Sequence, residues 1–173
     1  MPELTLLRAD HAQVVLAFEV ANRAYFAASV PDRGDAFFAR YAERHRALLA
    51  EQETGACAFH LLLAEDGSVL GRFNLVDIAD GGAVLGYRVA QHAGGRGVAT
   101  AAVREVVRLA AVRYGLGHLR AAVSERNAAS RRVLLKTGFV PVGPAAPEDL
   151  GGEEGAWYRC ELDAVAEAVG RGR

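Results

Sequence analysis

The chain has 173 residues, is 51% hydrophobic, and sets 20 Lys+Arg against 21 Asp+Glu. That length suits one domain with a core of useful size, and the composition is that of an ordinary globular protein. A net charge of −1 gives no electrostatic reason to expect nucleic acid or an anionic membrane as the main partner.

The opening MPELTLLRADHAQ lacks a basic segment followed by an apolar one, so no signal peptide is expected. No apolar run reaches the ~20 residues of a membrane helix, and the chain reads as cytoplasmic. Cys57 and Cys160 lie in apolar runs and are expected as buried free thiols, with no disulfide framework. The basic residues are nearly all arginine, and Lys136 is the only lysine.

In chain order, ELTLLR predicts a first strand. Asp10 is placed to cap a helix carrying Val14, Phe18, Ala21 and Tyr25 at helical spacing. Pro31 and Gly34 make SVPDRGD a loop, and a second helix follows to about Gln52 with Phe38, Tyr41 and Leu48 on one side. Residues 56–90 then hold three strand-like runs separated by Asp66-Gly67 and Asp80-Gly81-Gly82, which predicts an antiparallel meander. After Gly97 a helix puts Val98, Ala102, Val106 and Leu109 on one face and Arg104, Glu105 and Arg108 on the other. HLRAAVSE is a strand, and NAASRRVLLKTG is a helix from an N-cap at Asn127 to Gly138. FVPVG and AWYRCEL are the last strands, and the tail after Asp163 is expected to fray. A single domain over residues 1–173 follows.

The stretch GGRGVAT opens a helix with no polar cap, leaving its first amides free for an anion. A P-loop would need Lys and Ser or Thr after its last glycine, and neither is present. A dinucleotide fingerprint would need Gly or Ala where Thr100 stands, within a βαβ unit. Gly95 and Gly97 would let a pyrophosphate approach the backbone closely.

The strand, Gly-x-Gly loop and helix of YRVAQHAGGRGVATAAVREVVRLA resemble the cofactor motif of the GNAT N-acetyltransferases. NAASRRVLLKTGF resembles the family's next motif, with Asn-x-x-Ser at the helix start and Lys-x-Gly-Phe at its end. The pairing is similar to the RimJ/RimL-like branch, the ribosomal-protein-alanine N-acetyltransferases, and covers residues 57–162 well. The resemblance implies an α+β fold in three α/β/α layers. Its mostly antiparallel mixed sheet would have about seven strands and a central splayed pair. It implies acetyl-CoA as co-substrate, no metal, and a protein N-terminus or small amine as acceptor, and it admits a homodimer. His92 stands where relatives carry Gln or Arg, and Leu134 where many carry a thiolate-protonating tyrosine.

Carried onto this chain, the cofactor-binding residues are Val89 through its backbone, Gly95, Arg96, Gly97, Val98, Ala99, Thr100 and Asn127. Arg131 and Arg132 are candidates for the ribose phosphate. Acetyl transfer requires that the amine lose a proton, the oxyanion meet a donor, and the thiolate be protonated. Ser130 is the candidate for the last step. Asp77 and Glu125 are the leading candidates for the base, ahead of Glu19 on the first helix, and water is the alternative. No HExxH or paired Cys–His pattern suggests a metal, and no Gly-x-Ser-x-Gly a serine hydrolase. Three readings follow: acetylation of a protein N-terminus, acetylation of a small amine such as an aminoglycoside, and a non-catalytic acetyl-CoA-binding module.

Overall fold

A computed structural model describes residues 2–172. The chain runs β1 (Glu3–Leu6), α1 (Ala12–Ala21), α2 (Arg23–Ala27), α3 (Asp35–Ala39), α4 (Tyr41–Glu53), β2 (Ala58–Leu63), β3 (Val69–Ala79) and β4 (Gly82–Val89). It continues through α5 (Val98–Val112), β5 (His118–Ser124), α6 (Ala128–Lys136), β6 (Val140–Ala145), β7 (Gly155–Glu161) and α7 (Asp163–Gly170).

One seven-stranded sheet has the order β1-β2-β3-β4-β5-β7-β6. Every neighbouring pair is antiparallel except β4 and β5. Strand alternation divides the apolar residues between two cores. Phe59 and Leu61 join Val15, Phe18, Tyr41 and Leu48 under α1–α4. Leu62, Phe73 and Leu75 join Val103, Val106 and Ala110 of α5 and Leu134 of α6 on the other face. The sheet is thus the middle layer of three, as the family resemblance implies.

The central parallel pair sets up the site. Its register holds only for Gly82↔His118, Ala83↔Leu119 and Val84↔Arg120. Beyond Val84 the strands part, β4 continuing along β3 to Val89 and β5 along β7 to Ser124. The tight end of this pair rests on a missing side chain, because a Cβ at Gly82 would collide with the His118 ring.

The N- and C-terminal segments differ from their expected course. Asp10 does not cap α1: its carboxylate takes the Arg8 guanidinium at 3.0 Å, and His11 Nδ1 accepts the Arg8 amide instead, also at 3.0 Å. The first helix breaks at Asn22, whose side-chain Nδ2 donates to the Phe18 carbonyl. The second breaks at Arg40, because α3 buries no residue fully and packing fixes only α4 through Tyr41, His45 and Leu48. The tail forms α7: Leu162 is fully buried before it and Val165 packs on the α5 core. Cys160 is buried and Cys57 half-buried, both as free thiols.

Candidate active site

The parting of β4 and β5 leaves backbone groups without a strand partner. The amide of Ala90 donates to the Leu70 carbonyl at 2.8 Å, so the even-numbered residues of β4 bond to β3. By antiparallel alternation the N–H and C=O groups of Tyr87 and Val89 point the other way, into the gap that β5 has vacated.

The gap opens into a cleft of about 400 Å³. One wall is the turn that leads from β4 into α5. Gly97 is the N-cap of α5, with φ 74°, and no side chain caps the helix. Gly95 has φ 72°, and a Cβ at either glycine would meet nothing within 4 Å. Both conformations are left-handed, which glycine adopts without steric cost. Among the described residues, the amides of Gly95 through Thr100 donate no hydrogen bond, and the intrahelical ladder begins with Ala101 N–H to the Gly97 carbonyl at 3.0 Å. These donors and the positive end of a fifteen-residue helix form an anion site suited to a pyrophosphate.

The opposite wall is the start of α6. Asn127 caps it by accepting the Ser130 amide on Oδ1 at 3.1 Å, and Asn127, Ser130, Arg132 and Lys136 all line the cleft. Ser130 Oγ lies 2.8 Å from the Tyr87 hydroxyl. Tyr87 stacks on Phe73, with ring centroids 5.6 Å apart. Burial pushes the Tyr87 hydroxyl above its ordinary range, against the hydrogen bond with Ser130, which lowers it. The pair therefore stays protonated at neutral pH beside the gap. The third wall is α2 and its following loop, through Tyr25, Phe26, Ser29 and Val30. It is anchored to the glycine turn by Asn22 Oδ1, which accepts the Gln91 amide at 2.9 Å.

The structure thus gathers Val89, Gly95, Gly97, Val98, Ala99, Thr100, Asn127 and Ser130 about one cleft. Arg96 is exposed at the loop tip, and Arg131 lies outside the lining while Arg132 is in it. The candidate carboxylates lie elsewhere. Asp77 sits at the bulge that ends β3, exposed and with φ 51°. It is four residues beyond Phe73, the partner of Tyr87, or about 13 Å along the strand. Glu125 is exposed in the turn after β5, and its amide bonds to the Glu154 carbonyl. Neither lines the cleft, and no described Asp or Glu does. Glu19 is buried but engaged, with Arg72 Nη1 at 2.7 Å and Arg88 Nη1 at 3.2 Å. Leu134 is fully buried in the core, so no hydroxyl can act from that position. Sequence reading missed Tyr87 and Lys136 as lining residues. The only signal for Tyr87 was its alternation with Arg88, which puts it on the α6 face.

No helix among the described residues is long and apolar enough to cross a membrane. Residues 3–140 match the acetyltransferase (GNAT) domain family. The probable N-acetyltransferase YjcK of Bacillus subtilis is 30% identical over 145 residues, 80% of each chain. The ribosomal-protein-S5-alanine acetyltransferase of Vibrio fischeri shares the fold at TM-score 0.86 and 21% identity, over 94% of this chain and 93% of that one. The spermidine N-acetyltransferase of Vibrio cholerae, solved with CoA and spermine, shares it at TM-score 0.77 and 15% identity, over 95% and 97%. The chain belongs to the GNAT family and is an acetyl-CoA-dependent N-acetyltransferase.

Proposed function

We propose that the cleft binds acetyl-CoA and transfers its acetyl group to the N-terminal amine of a protein, by direct attack in a ternary complex. One observation carries the reading: the unpartnered amides of residues 95–100 and the Tyr87–Ser130 hydroxyl pair face the same cleft as the free edge of β4. The amides receive the pyrophosphate, with Arg96 and Arg132 adding charge at the rim. The free edge of β4 pairs with the pantetheine arm, and the Val89 amide donates to the oxygen of the thioester carbonyl as charge develops there. Asn127 contacts the same arm while capping α6. When the amine nitrogen bonds to the carbonyl carbon and the C–S bond breaks, the Ser130–Tyr87 pair delivers a proton to the departing sulfur. With no carboxylate in the lining, water takes the proton from the amine and returns one to the Ser130–Tyr87 pair.

The N-terminal acceptor is supported by the likeness to the ribosomal-protein-S5-alanine acetyltransferase. A small polyamine is the competing reading, supported by the likeness to the spermidine enzyme. The two separate in an assay with acetyl-CoA and short peptides whose N-terminus is either free or formylated. Acetylation of the free peptides, with none of the formylated ones, is expected. Turnover of spermidine with no turnover of any peptide would contradict the N-terminal assignment.

A further inference from the structure

On the α1–α4 side of the β3–β4 pair lies a second cavity, of about 260 Å³, bounded by Arg33, Arg72, Asn74, Gly86, Tyr87 and Arg88. It shares Tyr87 and Arg88 with the main cleft. Register explains the grouping: Arg72 pairs with Arg88 and Asn74 with Gly86 across the ladder, so the four occupy one face. Gly86 makes the space, since a Cβ there would meet nothing within 4 Å.

The charges around this cavity do not balance. Glu19, 1% exposed, faces Arg72 at 2.7 Å, Arg88 at 3.2 Å and Arg33 at 3.7 Å. Three guanidiniums therefore surround one carboxylate. Arg72 is 4% exposed, and its Nε has no hydrogen-bond partner among the described residues, nor has the buried Oδ1 of Asn74. Arg33 titrates low, at about 10, through burial and then repulsion from Arg88, with Arg72 and Arg44 adding to it and Glu19 alone opposing. The arginines are held against this repulsion. Arg88 lies over the Phe26 ring at 4.6 Å and Arg33 over Phe37 at 4.8 Å. Arg23 pins the loop that carries Arg33 through Asp32 at 2.7 Å and Asp35 at 2.8 Å. Arg72 is buried, while the Arg88 and Arg33 side chains are 21% and 34% exposed, and an excess of positive charge gathered at such a partly desolvated site is unfavourable. A bound anion would compensate it, with planar guanidiniums matched to a carboxylate.

We infer that this cavity receives a carboxylate of the acceptor, so that the preferred substrate is a primary amine bearing an acidic group nearby. The inference rests on the acetyl-transfer reading of the adjoining cleft. Gly86 and Arg88 precede Val89 by three residues and one, about 3 to 10 Å along the strand. That spacing suits an N-terminus with Asp or Glu in its first two residues, or a free amino acid through its own carboxylate. It disfavours a polycation.

The test compares kcat/KM for peptides beginning Ser-Glu, Ser-Gln and Ser-Lys and otherwise identical, with free glutamate and spermidine as further arms. The Ser-Glu peptide should exceed Ser-Gln by about tenfold, the scale of one charge-assisted hydrogen bond, with Ser-Lys and spermidine lowest. Free glutamate outrunning every peptide would place the same chemistry on a small molecule. Gly86→Leu fills the cavity without backbone strain and should bring the Ser-Glu to Ser-Gln ratio close to one, and Arg33→Gln should reduce it. Equal use of the three peptides by the unmodified protein would overturn the inference while leaving acetyl transfer standing. Transfer to no amine in the panel would overturn both.

Discussion

Tyr87 and Ser130 come from a strand and a helix that are 43 residues apart in sequence, and their hydroxyls meet at 2.8 Å. On the proposed reading this pair supplies the thiolate's proton, since the family's tyrosine position holds the buried Leu134. Tyr87→Phe keeps the ring stacked on Phe73 and removes the proton. It should lower kcat by about 100-fold, within the usual reach of a general acid, while the KM for acetyl-CoA stays put. An unchanged kcat would show that water protonates the thiolate. A buried imidazole bonded to a half-buried hydroxyl serves stability instead. His60, 1% exposed, must donate from Nδ1 to the Phe73 carbonyl, so its Nε2 accepts from the Tyr114 hydroxyl at 2.8 Å. Burial first, and Arg113 to a lesser degree, hold the ring neutral down to about pH 4. The unfolded chain binds this proton from about pH 6.5 downward, so the stability is complete above 6.5 and drains away as pH falls towards 4. The full loss is about 3 kcal/mol. Denaturant titrations of wild type and His60→Phe at pH 7 and 4.5 should show the variant losing markedly less, and parallel losses would assign the acid sensitivity elsewhere.

Among the elements, those that hold the cofactor wall were readable because each rests on local chemistry. The glycines at 95 and 97 demand left-handed backbone, Asn127 caps the helix that follows it, and Asp-Gly turns punctuate the β2–β4 meander. The splay of β4 from β5 followed from family resemblance alone, since nothing local marks where the pairing stops after Val84. The acceptor wall was poorly legible for the converse reason. The breaks at Asn22 and Arg40 depend on contacts with distant partners, such as Asn22 with Gln91 and His45 Nε2 with the Arg8 carbonyl at 2.8 Å. Asp77 looked like a base because it closes a central strand. A bulge between Val76 and Ala79 and the hairpin beyond place it in solvent instead. Glu19 stood as a base candidate on the first helix, and its engagement was illegible because its partners Arg72 and Arg88 lie 53 and 69 residues away in sequence.

At the scale of the molecule, the sheet separates two helical layers and opens at its middle, so that one cleft touches both. On the proposed reading α5 and α6 build the cofactor side and α1 and α2 with their loop the acceptor side, and Tyr87 and Arg88 of β4 face one layer each. Ligand binding in such a cleft stabilises the whole fold by mass action, about 2.7 kcal/mol at a hundred times Kd. For a chain of this size that is a rise in Tm of about 5 to 10 °C. The most direct measurement is this thermal shift with acetyl-CoA for wild type, Gly97→Asn and Gly97→Asp. Asn and Asp are nearly the same shape, both tolerate the left-handed N-cap conformation and both cap helices well, yet only Asp sets a negative charge against the pyrophosphate. Without ligand the Asp variant should be at least as stable as the Asn variant. With saturating acetyl-CoA, wild type should rise by several degrees and Gly97→Asn by part of that, with no shift for Gly97→Asp. No shift in the wild type, or an equal shift in all three, would contradict an acetyl-CoA site at the start of α5.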